Sequence, residues 1–417
     1  MNLKSLLLVG GALLSGTAAS AGGFQVTLAG QKNNGMGGVG VGLSLDQAAM
    51  FYNPGALAMV RERGVQIGGN VTLARQSFRG QFGSDERTLR NSIVTPFNLY
   101  AGFGPEEGKW RLGIAVYTPF GSKLQYASGW EGRYSLTDID LKSVFVQPTV
   151  SYALTDQLSI GGGPVILAYG AVNLQKDISI GNYPDGHVEL DGKAETKVGF
   201  NAGVFFKPSD KLSLGISYRS HIDAQVKDGT VTITNTPTAL ASSFAATKFD
   251  VTLPLPATTS LGLGVMPNDK LTLGFDVNFV QWSRYKTLDF TFDKNLGTSN
   301  QSTSKRYYQD ALTFRLGGQY KLTDGLTVRA GGAYDNTPVK DGYVTPETPD
   351  ADRVSGTLGA TYSFGKFGVD LSAQYVSLKK RTQTQNDLLN NGTSLDRVAG
   401  TYKTNIVIPG IGFNYNF

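Results

Sequence analysis

Large apolar residues alternate with small or polar ones, in period two, through much of the chain. Leu271, Leu273, Phe275, Val277 and Phe279 are separated by Thr272, Gly274, Asp276 and Asn278. The same period recurs at Leu212, Leu214, Ile216 and Tyr218, at Leu312, Phe314, Leu316 and Tyr320, and at Phe367, Val369, Leu371 and Tyr375, with Arg219, Arg315, Arg329 and Asp370 on the opposite faces. Successive strand side chains point to opposite sides, so each segment reads as a strand with one oily and one polar face. A soluble sandwich alternates in the same way, and the connections have to decide between the two.

Six connections are short, among them Thr155-Asp156-Gln157, Thr323-Asp324-Gly325 and Gly365-Lys366. Seven are long and polar, near residues 75–91, 118–140, 173–197, 221–249, 281–308, 335–352 and 379–397. Short and long alternate throughout, so thirteen connections join fourteen strands and place all long loops on one side. This is the layout of an all-β membrane protein, a 14-stranded antiparallel transmembrane β-barrel, whose closure satisfies every backbone group inside the hydrocarbon. The final strand, with Ile411, Phe413, Tyr415 and Phe417 on one face, ends on an aromatic residue suited to an interfacial girdle.

Composition agrees. With no Cys and two His in 417 residues, disulfide scaffolds, thiolate metal sites and cysteine nucleophiles are excluded. No apolar run is long enough for a membrane helix, and a net charge of +5 spread along the chain gives no nucleic-acid footprint. Residues 1–21 have a positive start at Lys4, an apolar stretch Leu6 to Leu14 and a small-x-small end at Ala19-Ser20-Ala21, the pattern of a signal peptide. Strands begin near Gly64, which leaves residues 22–63 outside the wall; this Gly-rich segment reads as a plug in the lumen, with residues 64–417 forming the barrel. Gly35, Gly37 and Gly40 match a dinucleotide spacing, but no βαβ unit accompanies them. Asn53-Pro54 ends the plug's helix, because a residue before Pro avoids the α region.

Asn53-Pro54-Gly55 after Phe51-Tyr52, Tyr117 to Gly121, Trp130 to Tyr134, Trp282-Ser283, Tyr334 to Val339 and Pro349 to Arg353 together resemble the FadL-type outer-membrane transporters of long-chain fatty acids and other hydrophobic compounds. The resemblance covers nearly the whole mature chain. It implies an N-terminal hatch, the outer membrane of a Gram-negative-type bacterium, and cargo leaving sideways through the wall. Two departures are Asn-Pro-Gly in place of Asn-Pro-Ala, and Gln309 where some fatty-acid binders carry a basic residue.

Strand alternation puts Phe145, Val165, Leu167, Tyr169 and Phe205 on the lumen face of strands four to six, where they either line an oily path or pack on the plug. Burying an acyl chain contributes about 0.8 kcal/mol per methylene, enough for capture without a strong ion pair. Following the family, Phe24, third in the mature chain, reaches this pocket unless it is frayed. Arg133 and Lys176 are the head-group candidates, with solvation the alternative role for Lys176. The loops carrying Phe120, Leu124 and Trp130 and carrying Leu240 and Phe244 are expected to form an outer capture groove, or else a rigid cap. Thr118, Pro119 and Gly121 mark the lateral opening, since Pro removes a ladder hydrogen bond, though Pro119 could merely end a strand.

The expected function is passive uptake of long-chain fatty acids, with aromatic or alkane hydrocarbons as the alternative cargo. An enzyme is not expected: the only imidazoles, His187 and His221, lie in loops, and Gly42 to Asp46 lacks the second Gly of a nucleophile elbow. No cofactor or metal is expected. The partners expected are the hydrophobic cargo and outer-membrane lipid and lipopolysaccharide, around a monomer.

Overall fold

The computed structural model describes residues 23–417 except 61, 84, 91–92, 106 and 393–395; the expected signal peptide lies outside the described residues. Fourteen antiparallel strands close into a barrel. They are β1 (Gly64–Asn70, continued by Thr72–Gly80), β2 (Phe97–Phe103), β3 (Trp110–Tyr117, followed by Gly121–Gln125), β4 (Asp138–Ala153), β5 (Leu158–Ile178), β6 (Lys197–Ser209) and β7 (Leu212–Arg219). They continue as β8 (Thr258–Asn268), β9 (Leu271–Val280), β10 (Ala311–Lys321), β11 (Leu326–Asp335), β12 (Arg353–Phe364), β13 (Phe367–Leu378) and β14 (Gly400–Asn416). Closure runs from Gly64 opposite Asn416 to Asn70 opposite Gly410.

The oily faces point outward. Ile67, Leu316, Leu358, Phe367 and Phe413 are each more than half exposed, while Asp276, Arg315, Arg329 and Asp370 on the alternate positions are buried inside. Phe103, Phe364, Phe367, Tyr415 and Phe417 cluster at the short-turn end, an interfacial aromatic group.

The inward polar groups hold the segment from Gly23 to Val60. Asp276 of β9 accepts the N–H groups of Gly40 (2.7 Å) and Val41 (3.0 Å). Thr357 of β12 accepts the N–H of Gly37 (2.8 Å), and Ser372 of β13 donates to Gln31 (2.6 Å). Backbone meets backbone closely: a Cβ on Gly262 would lie 2.2 Å from the nitrogen of Gly42, so both sides of this contact must be bare. The short helix Ala49–Tyr52 stops at Asn53, whose backbone is extended (φ −153°) as a residue before proline requires. Buried Asn53 then donates to Val41 O and Val204 O (both 3.0 Å) and accepts from Gly55 N (3.0 Å), joining two parts of the inner segment to β6.

Beyond the apolar belt the alternation persists with its sense reversed. The long connections hold further strands, including Gly186–Lys193, Ile222–Thr234, Lys248–Leu255 and Thr287–Leu296, which extend the wall upward. Here Val188, Leu190, Val226, Phe249, Val251 and Phe292 point inward and are buried. Water bathes the outer face of this extension, so the apolar residues turn to the lumen. The expectation of polar loops in these stretches is corrected accordingly.

One side chain of the expected lumen set is corrected by the same geometry. Between β4 and β5, Phe145 opposes Leu167 but Val144 opposes Tyr169, leaving Ala168 as an extra residue. Such a bulge reverses which face the following residues occupy. Tyr169 therefore faces outward at 42% exposure, and Gly170, Val172 and Leu174 point inward in its place.

Candidate functional site: an apolar cavity beside a gap in the wall

The reversed alternation encloses an apolar cavity of about 90 Å³, with Leu141 of β4, Leu167 and Leu174 of β5, and Val226, Val251, Leu253 and Phe290 of the upper extension in its lining. Phe24 and Phe120 form its inner edge, their ring centroids 6.0 Å apart. Phe24 also packs edge-on against Trp282 (5.0 Å) and Tyr285 (6.3 Å), and Tyr285 in turn meets Tyr308 (4.9 Å). An apolar cavity of ~150 Å³ accommodates benzene, so this one admits little beyond a small molecule until Phe24 moves.

Two devices hold Phe24. Gly23 adopts φ +71°, and its N–H donates to buried Asp350 (2.9 Å), which also accepts from Thr337 Oγ1 (2.7 Å) and lies 3.2 Å from Arg353. Burial pushes the Asp350 carboxyl above its ordinary range, against the opposing pull of Arg353 and of the Gly23 N–H. The next residues pair with the wall: Val26 N donates to Pro119 O (2.7 Å) and Gly121 N to Phe24 O (3.1 Å).

That pairing lies where the wall is incomplete. Among the described residues, the ladder between β2 and β3 stops at Asn98–Tyr117 and resumes only at the Arg90–Gln125 bridge. Toward β4 the register advances four residues, Tyr117 to Gly121, against three, Phe145 to Lys142. Pro119 lacks an N–H, and the side chain of Ser143 replaces the ladder, accepting from Phe120 N (3.2 Å) and donating to Phe120 O (2.6 Å). Thr118 contributes one bond across the gap, Oγ1 to Phe97 O at 3.5 Å.

Below the cavity the lumen is polar. Arg219 donates to Phe51 O (2.9 Å) and Gln147 Oε1 (3.2 Å) and bonds the Tyr117 hydroxyl. Arg315 donates to Gly37 O (3.1 Å) and pairs with Asp335 (3.4 Å).

The structure brings Phe24 and Leu167 together at the cavity. Phe145 and Val165 are buried and inward but outside the lining; Phe145 stacks on Tyr117 (6.1 Å) and meets Phe120 at a tilt (6.1 Å). Phe205 is buried beside the inner segment, far down β6, where its N is 3.1 Å from a Cβ built on Gly55. Phe120 belongs to the cavity, which corrects its placement in an outer groove. Trp130 is corrected too: at 1% exposure it stacks on Tyr126 (3.9 Å) and donates Nε1 to Leu136 O (2.7 Å), so it is the core of a loop cap. Leu124 is half-buried opposite Ile139. Leu240 is half-buried in the turn Thr238–Leu240, and Phe244 bridges to Leu296; none of these three lines the cavity.

Arg133 is committed to Asp185 (3.0 Å) and lies 3.9 Å from Asp177. Hydrogen bonds from Tyr134 and Arg133 hold the Asp185 carboxyl below its usual range. Lys176 lies two residues beyond Leu174 on the inward face of β5 and, among the described residues, its side chain has no hydrogen bond and no close ion pair, with Asp396 and Glu347 acting on it at longer range. Glu347 at the cavity edge is paired with buried Arg306. The aromatic set Trp282, Tyr285 and Tyr308, the Arg306–Glu347 pair and the Asp350 clamp were not anticipated as site residues. A signal was available for Trp282 and Asp350, from their place in the Trp282-Ser283 and Pro349 to Arg353 stretches.

Residues 12–417 match the family model described as outer membrane protein transport protein (OMPP1/FadL/TodX). The chain is 25% identical to outer membrane protein P1 of Haemophilus influenzae, over 99% of this chain and 98% of that one. It is 24% identical to the long-chain fatty acid transport protein of Escherichia coli O6:H1, over 92% and 93%. The fold superposes on the crystal structure of a Pseudomonas aeruginosa FadL homologue with a TM-score of 0.81 at 20% identity, covering 95% of this chain and 100% of that one. A closed barrel with an oily outer belt and a match that runs almost end to end leave one conclusion: this chain is an outer-membrane β-barrel of the OMPP1/FadL/TodX family of hydrophobic-compound transport proteins.

Proposed function

We propose that the protein is a passive channel for long-chain fatty acids, which enter the apolar cavity from the extracellular side, displace Phe24 and leave sideways between β2 and β3 into the bilayer. The observation that carries this is the position of Phe24. One side chain closes the cavity while its own backbone fills the interrupted ladder at Pro119, so a cargo that moves it opens both together. A vertical path would drag an oily molecule past half-buried Arg219 and buried Asp276 and Arg315, each hydrogen-bonded, at a large desolvation cost. The lateral path meets hydrocarbon directly. Residues 22–63 act as the hatch, and no catalytic step is proposed.

Lys176 supports a carboxylate head, because it follows Leu174 of the cavity lining on the inward face of β5 and has no close ion pair among the described residues, Asp396 and Glu347 acting on it only at longer range. The second reading, an uncharged hydrocarbon, is favoured by the lining itself, which is almost wholly apolar and whose Glu347 is already neutralised by Arg306. Binding of oleate and of a neutral aromatic hydrocarbon to the purified barrel, with and without Lys176→Met, separates them. The fatty-acid reading expects oleate to bind and to weaken in the variant while the neutral ligand is unaffected. Oleate binding that ignores the substitution, with tighter binding of the neutral ligand, replaces it by the second reading.

A further inference from the structure

On the outer surface, three neighbouring strands change from apolar to polar at one level, and basic residues follow on each. The outward residues of β1 run through Val71 and Leu73 to Arg75, Ser77 and Arg79; those of β14 run through Val407 to Asn405 and Lys403; those of β13 run through Tyr375 to Ser377, with Lys379 next. Leu73 opposes Val407 and Val407 opposes Tyr375, while Arg75 opposes Asn405 and Asn405 opposes Ser377. The last apolar row and the first polar row are therefore level on all three strands. Lys403 opposes Ser77, midway between Arg75 and Arg79 and about 7 Å along the strand from each.

Most of these cations are free of protein partners at close range. Among the described residues the side chains of Arg75, Arg79 and Lys379 have no hydrogen bond and no close ion pair, and Glu86 acts on Arg79 only at longer range. One acidic group touches the patch, Glu86, which is bonded to Lys403 (2.9 Å) and Ser77 (2.5 Å). Three lysines on other sectors instead carry carboxylates at close range: Lys142 with Asp140 (2.9 Å), half-buried Lys197 with Glu195 (2.8 Å) and Lys248 with Asp228 (2.9 Å). Here the cations are left for something other than protein, directly above a hydrocarbon-facing surface. An amphiphile with an anionic head meets both demands, and arginine forks match phosphate oxygens two at a time.

We infer that the β13–β14–β1 sector binds a phosphorylated lipid of the outer leaflet, its phosphate held by Arg75, Arg79 and Lys379 and its acyl chains lying along Leu73, Val407 and Tyr375. The site lies on the outside of the barrel and does not depend on the identity of the cargo inside.

The test is native mass spectrometry of the full-length barrel in detergent, titrated with diphosphorylated lipid A, its dephosphorylated counterpart and inorganic phosphate. Near a membrane surface each basic residue contributes about a factor of five in affinity, so Arg75→Gln/Arg79→Gln/Lys379→Gln should weaken binding of the phosphorylated lipid roughly a hundredfold. The dephosphorylated lipid should bind weakly and equally to both proteins, inorganic phosphate should not displace the lipid, and Lys142→Gln/Lys197→Gln/Lys248→Gln should bind like the unsubstituted protein. Heat-modifiable mobility on gels verifies assembly; should the triple variant not assemble, Arg79→Gln alone should weaken binding about fivefold. Unchanged binding in the variant, equal loss in the control, equal binding of the dephosphorylated lipid, or displacement by inorganic phosphate overturns the inference.

Discussion

Replacing Phe24 with Ala tests what holds the cavity shut. The ring is 8% exposed and packs against Phe120, Trp282 and Tyr285. Deleting a ring buried to this degree costs about 3–5 kcal/mol. What remains of the hold is two backbone bonds, Val26 to Pro119 and Gly121 to Phe24, at about 1 kcal/mol each, and the Gly23 N–H bond to the Asp350 carboxyl, at about 1.5–3 kcal/mol. The ring therefore supplies roughly half of the total. Losing about 3 kcal/mol raises the released population of the segment roughly a hundredfold. The chain has no cysteine, so Gln25→Cys introduces a single thiol into the segment, and its rate of modification by a water-soluble maleimide follows the released fraction. The expected result is modification roughly a hundredfold faster in the Phe24→Ala background, with barrel assembly intact because Phe24 lies outside the wall. Equal rates in the two backgrounds would show that the ring does not latch the segment, and the reasoning from burial would fail.

Asp276→Ala removes two hydrogen bonds from an anionic acceptor to Gly40 and Val41, about 3–6 kcal/mol of local stability. Hydrogen exchange at Gly40 to Gly42 should accelerate strongly while exchange in β9 stays slow; unchanged protection would refute the role of Asp276 as an anchor of the inner segment. Asp350 has a raised pKa, so on acidification it takes up its proton above the ordinary carboxylate range and its hold on Gly23 weakens. This group's own contribution to fold stability has the opposite sign, being present at low pH and lost as pH rises through the raised pKa. Maleimide modification of Gln25→Cys, corrected for thiol ionisation, should therefore rise as pH falls, and Asp350→Asn should make it flat; a persisting slope in the variant assigns the effect elsewhere.

The barrel was legible because period two and the alternation of short and long connections are both local signals. Inside the belt they gave the correct face for Asp276, Arg315 and Asp370. The cavity was less legible for two physical reasons. Above the belt the solvent changes from lipid to water and the apolar side turns inward, so Val226 and Phe290 lie in stretches that read as polar loops, and Val251 lies just past the end of one. The other reason is the extra residue at Ala168, which turns Tyr169 outward; nothing in the alternation announces a bulge, since it depends on the register with β4. Phe24 and Pro119 were identified, but their contact joins residues far apart in the chain. The Asp350 clamp is of the same kind.

The central claim is that cargo leaves through the wall between β2 and β3. Phe97→Cys/Thr118→Cys places a disulfide across the open stretch, next to the last paired residues Asn98 and Tyr117. With the protein assembled in liposomes, flux of a fluorescent fatty acid should stop on oxidation and return on reduction, while Asn98 and Tyr117 remain paired in both states. Undiminished flux through the oxidised barrel would contradict the account.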